Sequence, residues 1–174
     1  MVFDKGIYII RGPNGSGKST LLGIIAGIIR PSQGEVRVLG KDPFKDDGVK
    51  KLIGFVGHKT FLLEDLTGYE NWGFFGEFDK DLADLMGINK VLNRPVRTYS
   101  RGERVKLSVC IELSRKPKVL LLDEPFSPLD EASKGSLAAI LNGFDGTVII
   151  TAHGTIPLKA KMEYKLEKHE NLGN

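Results

Sequence analysis

The segment Gly12-Pro13-Asn14-Gly15-Ser16-Gly17-Lys18-Ser19-Thr20 constrains this chain more than any other part of it. Its G-x-x-x-x-G-K-[ST] spacing requires a strand before it and a helix after it, and both flanks comply. Gly6 to Ile10 is a short apolar run of the kind that forms a buried parallel strand. Leu21, Leu22, Ile24, Ile25, Ile28 and Ile29 recur at helical spacing until Pro31 stops the helix. Glycines let the backbone wrap a polyphosphate, so that its N–H groups and the helix N-terminus face the negative charge. In such a loop Lys18 reaches the β- and γ-phosphates, and the Ser19 hydroxyl ligates Mg²⁺.

A second constellation lies far along the chain. Val119 to Leu122 is an apolar run that ends in Asp123-Glu124-Pro125, and Pro125 prevents the strand from continuing. Asp123 suits a hold on Mg²⁺, and Glu124 is placed to take a proton from an attacking water. By itself Asp-Glu-Pro reads as a turn; its pairing with the loop at Gly12 makes the functional reading the stronger. His58 and His153 each follow an apolar strand. Ligands in open α/β sheets bind beyond the carboxyl ends of the strands, so Gly12, His58, Asp123 and His153 can share one site.

Val36 and Val38 suggest a short alternating strand, Ile53 to Val56 another, and Val148 to Thr151 a further one, with a helix around Leu137 to Leu141. Thr67-x-x-Glu70 and Ser100-x-x-Glu103 have the spacing of a capping box, so the middle third reads as helical. From local chemistry Ser100-Arg101-Gly102-Glu103 is a helix cap, although the same geometry presents N–H groups and a positive dipole end to an anion. The expected fold is α/β: a P-loop NTPase core with a mainly parallel sheet, and a helical subdomain inserted in it. One domain spans 1–174, with 1–57 and 118–174 forming the core and 58–117 the helical subdomain.

Composition narrows the setting. With 174 residues, 41% hydrophobic and 27% charged, the chain fits one ordinary globular domain. Its longest apolar runs fall short of the ~18–20 residues that span a bilayer, so a membrane role is expected to come through a partner. The start, Met1-Val2-Phe3-Asp4-Lys5, lacks the plan of a secretory signal, and Cys110 alone can form no internal disulfide. A cytoplasmic location follows as an expectation. A net charge of +3, with both signs interspersed, gives no nucleic-acid-binding face, and Glu163 to Asn174 reads as a polar tail.

The ordered set of motifs resembles the nucleotide-binding domains of ABC ATPases. The loop at Gly12 is followed by Val56-Gly57-His58 where that family usually has Gln, by Tyr99-Ser100-Arg101-Gly102-Glu103 at its signature, and by Leu122-Asp123-Glu124-Pro125. Ser127-Pro128-Leu129-Asp130 stands as the D-loop and Thr151-Ala152-His153 carries the switch histidine. The resemblance implies an ATP-dependent head-to-tail homodimer, or a pair with a related ATPase subunit, with composite sites. The loop of one subunit holds ATP, and Ser100 and Gly102 of the other close over its γ-phosphate. His153 would contact that phosphate and help hold the water, Asp130 would line the seam, and His58 would face Mg²⁺ in place of Gln.

Four departures stand out. Arg101 replaces the small signature residue, His58 replaces Gln, the segment after His153 is short, and the usual N-terminal aromatic that stacks on adenine has no evident counterpart, Phe3 lying too close to the loop. The resemblance further implies a polytopic membrane permease subunit docking on the helical insert near His58, and hence a peripheral position at the inner face of the cell membrane. A finer similarity points to the cytochrome c maturation and haem-export branch. The alternatives are a soluble ABC ATPase of repair, translation or cofactor assembly, and a nucleotide-binding regulator of low turnover.

Overall fold

The inner strands form from runs that are apolar on both faces. In the computed structural model, which describes residues 1–167, β1 (Gly6–Arg11) is followed by α1 (Lys18–Ile25), a short α2 (Asp47–Lys50) and β2 (Ile53–Val56). Helices α3 (Gly68–Phe75), α4 (Lys80–Leu85) and α5 (Arg101–Ser114) then precede β3 (Val119–Asp123), α6 (Glu131–Asn142), β4 (Thr147–Thr151) and β5 (Met162–Lys165). The strands form one parallel sheet in the order β2-β3-β4-β1-β5. Every strand therefore delivers its carboxyl end to the same edge.

Alternate side chains of β1, β3 and β4 enter different cores. Ile7, Ile9, Leu120, Leu122, Val148 and Ile150 face the core shared with Trp72, Leu107, Cys110 and Leu137 from α3, α5 and α6. Ile10, Val119, Leu121 and Ile149 face the core closed by Leu22 and Ile25 of α1. The helical segment between β2 and β3 thus covers one face, and α1 the other. Burial also leaves Cys110 an inert packing residue, with its thiol pKa pushed well above the ordinary value.

Both capping boxes form. Thr67 accepts from the Glu70 N–H and Ser100 from the Glu103 N–H, each glutamate reaching back to the backbone of its cap. Tyr99 then anchors the entry to α5: its hydroxyl donates to the Val91 carbonyl at 2.5 Å, and burial pushes its pKa up to about 12.

The sheet and helices differ from the sequence-based expectations in three places. Helix α1 ends at Ile25 rather than at Pro31, because Gly27 adopts φ 72° and closes the end: its N–H donates to the Ile24 carbonyl, and the Ile28 N–H to the Gly23 carbonyl. Val36 and Val38 form no strand; Val38 makes a single bridge to Lys41 across a turn. The supposed polar tail begins instead with β5, which pairs Tyr8 with Met162 and Arg11 with Lys165 at the sheet edge. The rest of that tail, from 168 on, lies outside the described residues.

Candidate functional site

The loop after β1 is built to leave charge exposed. Gly15 and Gly17 take left-handed φ values of 79° and 88°, which glycine adopts without the penalty other residues incur. Gly12 sits where a Cβ would come within 2.6 Å of the Leu166 carbonyl and of Ser16 Oγ. Helix α1 starts at Gly17 with no side-chain cap and no acidic residue in its first turn. Its amino-terminal N–H groups and dipole are therefore available to an anion.

Lys18 completes this arrangement. Although only 6% exposed, its ammonium meets just the carbonyl oxygens of Gly12 and Pro13, at 2.8 and 3.0 Å, and pairs with no carboxylate among the described residues. A buried cation without a counter-ion calls for an anionic ligand. Ser16 Oγ, buried and without a hydrogen-bond partner, adds an orphaned polar atom in the same loop. Pro13, Asn14, Ser19 and Thr20 are exposed around it.

Across the edge, β3 ends at Asp123, which is 8% exposed and accepts a hydrogen bond of 2.6 Å from the Thr151 hydroxyl. Glu124 follows in the left-handed region, φ 51°, a conformation unfavourable for any residue but glycine. Thr151 steadies it: the Glu124 N–H donates to both the carbonyl and the hydroxyl of Thr151, at 3.2 and 3.0 Å. The Glu124 carboxylate then meets His153 Nε2 at 2.9 Å. A cavity of about 210 Å³ lies beside this pair, lined also by Phe126 and Lys134.

Thr151 is the residue that sequence reasoning missed. It was legible only as part of a strand, whereas in three dimensions it holds both carboxylate-bearing residues. Its register opposite Asp123 in the β3–β4 ladder is the one signal that could have found it.

The signature segment lies within the same chain but is engaged differently. Ser100 caps α5, and a Cβ on Gly102 would fall 2.7 Å from the Pro128 carbonyl, so glycine is required for α5 to touch the D-loop segment. Asp130 caps α6 by accepting from the Ser133 N–H at 2.8 Å, a bond that holds its carboxyl below the usual range. Arg101 donates to His58 Nδ1 at 3.1 Å. This departs from the expectation for His58 as an acceptor facing Mg²⁺: with Nδ1 occupied by a guanidinium, a neutral ring carries its proton on Nε2 and has no acceptor nitrogen left.

Phe3 does not form a free platform. It packs edge-on against Tyr8 and Tyr164, with ring centroids 5.0 and 5.4 Å away.

A glycine-rich loop at an uncapped helix, with carboxylates and a histidine at the ends of neighbouring parallel strands, is the arrangement of a P-loop nucleoside triphosphatase. A family model described as ABC transporter matches residues 2–127. A putative ABC transporter ATP-binding protein of Archaeoglobus fulgidus is 35% identical over 166 residues, which is 87% of this chain and 70% of that one. A cytochrome c biogenesis ATP-binding export protein of Nitrobacter winogradskyi is 32% identical over 162 residues, 87% of this chain and 80% of that one.

The chain belongs to the ABC transporter family of ATP-binding proteins, and its class is that of ABC ATPases. It spans less than half the length of the molybdate/tungstate import proteins that it also matches. A bacterial ABC transporter cassette solved as a dimer superposes with a TM-score of 0.81 at 22% identity, covering 97% of this chain and 84% of that one, and shares its fold.

Proposed function

We propose that this chain is the ATP-binding and ATP-hydrolysing subunit of a transporter, closing as a head-to-tail pair on two ATP molecules and driving a separate membrane subunit. The observation that carries it is the buried, uncompensated Lys18 ammonium at the uncapped start of α1, on the same sheet edge as Asp123, Glu124 and His153. Gly12 to Thr20 wrap the triphosphate, with Lys18 on its terminal phosphates. Ser100 and Gly102 of one chain cover the γ-phosphate held by the other, and Asp130 lies along the seam between them.

The donor set fits Mg²⁺ as a shared ion. Among the described residues no cluster of three or more His, Cys, Asp or Glu side chains could hold a metal alone, whereas Mg²⁺ is commonly held by one or two carboxylates together with substrate phosphates. Ser19 and Asp123 would hold it, and its chemistry there is to neutralise charge on the phosphates. Glu124 accepts the proton of the attacking water, and His153, already against its carboxylate, orients it. Thr151 keeps Asp123 and the Glu124 backbone in place.

No helix among the described residues is long and apolar enough to cross a membrane, so the chain would reach the inner face of one through its partner. The helical segment near His58 offers that partner a groove lined by Phe61, Leu62 and Phe75. The matched import and export proteins support a transport role over a soluble repair or assembly ATPase.

Glu124→Gln tests the reading directly. It keeps a hydrogen-bonding side chain and loses the base, so light scattering in ATP should show the dimer persisting while phosphate release falls at least a hundredfold. Hydrolysis at the wild-type rate would remove Glu124 from the chemistry.

A further inference from the structure

The contact between Arg101 and His58 joins two segments 43 residues apart in sequence. His58 lies two residues beyond β2, at the sheet edge, and Arg101 is the first residue of α5. The base of Arg101 is held on either side, by the Ser100 cap and by Gly102 seated against the Pro128 carbonyl. We infer that Arg101 is a positioning residue that acts through His58, fixing which imidazole nitrogen can accept and tying the signature turn to the end of β2.

The direction of the hydrogen bond follows from the two groups alone. A guanidinium offers only donors and remains charged at any ordinary pH, so His58 Nδ1 must present its lone pair. A neutral imidazole has a single N–H, which is then on Nε2. The remaining nitrogen is a donor, suited to a phosphate oxygen and unable to serve a cation. That is the opposite polarity to the side-chain oxygen of Gln, the residue expected at this position from the family resemblance. Arg101 and His58 thus form a matched pair of departures: the arginine fixes which nitrogen of the histidine donates.

The consequence at the nucleotide rests on the proposed function. In a head-to-tail pair, His58 belongs to the site of its own chain's P-loop, while Ser100 and Gly102 serve the partner's site. The bond from Arg101 to His58 therefore links the two ATP sites within one subunit, through a pair of side chains at the join between the sheet and the helical segment.

Nitrogen NMR of the full chain labelled in histidine tests the pairing without nucleotide. At about pH 9, where histidine side chains are ordinarily neutral, the His58 resonance, identified by its loss in His58→Gln, should report the Nε2–H form alone. Arg101→Ala should let a measurable share of the Nδ1–H form appear, and Arg101→Lys, another donor-only side chain, should restore the single form. A wild-type ring in the Nδ1–H form, or a ratio unmoved by Arg101→Ala, overturns the inference.

A second readout follows the other end of the tie. The backbone amide resonances of Ser100, Arg101 and Gly102 should shift in His58→Ala and return in His58→Gln, whose oxygen can again accept from Arg101. Amides indifferent to His58→Ala would show that no tie exists. Both measurements are independent of turnover, so their failure rejects the pairing and leaves ATP hydrolysis standing. A chain with this tautomer but no ATPase activity would reject the proposed function instead.

Discussion

Helices α1 and α5 both begin at candidate nucleotide-binding segments, yet their amino-terminal ends are built in opposite ways. At α1 a left-handed Gly17 stands where a capping side chain would be, and the first turn carries no acid. At α5 Ser100 accepts from Glu103, and Glu103 returns to the Ser100 N–H, so the protein satisfies that end itself. An uncapped helix start depends on a ligand for its partners, whereas a capping box supplies part of what the first turn needs from within the chain. The first is suited to hold the triphosphate, the second to close over one already held.

The largest expected effect breaks the α1 side. Lys18→Met should leave the free protein as stable as the wild type or more so, because it removes a buried charge that lacks a carboxylate partner. ATP binding should weaken by about 3 kcal/mol, or roughly a hundredfold, measured by calorimetry. A large loss of stability in the absence of ATP would show that Lys18 is compensated within the fold.

Gly102→Ala probes the α5 side by steric means. Its Cβ would meet the Pro128 carbonyl at 2.7 Å, a backbone group that cannot swing away, so a loss of about 1–3 kcal/mol in urea unfolding is expected. A Cβ on Gly17 meets nothing within 4 Å, and Gly17→Ala should cost only the left-handed conformation, about 1–2 kcal/mol. Equal and negligible effects of the two would remove the packing explanation for Gly102.

The caps themselves give a smaller contrast. Ser100→Ala should cost about 1 kcal/mol of stability by chemical denaturation, while Ser19→Ala, outside any cap, should cost none in the absence of nucleotide. A measurable loss for Ser19→Ala would mean that α1 has a cap after all.

The smallest effect is at a third helix start. Asp130 caps α6 through the Ser133 N–H, which lowers its folded-state pKa, so its contribution is present above the unfolded pKa and lost as pH falls through the folded one. Asp130→Asn keeps a capping oxygen without the charge. Its thermal stability should therefore fall off less between pH 5 and pH 3 than that of the wild type, and parallel curves would remove the charge from the explanation.

How much of this was legible in the sequence depends on the range of the forces involved. The loop at Gly12, the apolar strand runs at Gly6, Ile53, Val119 and Val148 and both capping boxes are written in neighbouring residues, and each lies where its spacing places it, whereas the alternation of Val36 and Val38 forms only a bridge. Strand β5 was hidden because an edge strand faces water and its residues, Met162-Glu163-Tyr164-Lys165, read as polar. The early end of α1 was masked by Ile28 and Ile29, which continue the apolar period past a glycine that had already turned the chain. The tie between Arg101 and His58 and the hold of Thr151 on Asp123 join residues remote in sequence, and local spacing is silent about such pairs.

Glu124 occupies a backbone conformation that suits glycine, and the fold holds it there through Thr151. A population of variants selected only for surviving heat would therefore be drawn to replace Glu124 with glycine, gaining robustness at a position where the proposed chemistry needs a carboxylate. Heat resistance and turnover are competing demands at this residue, so an inactive protein that melts later than its parent is the outcome to expect from such a selection.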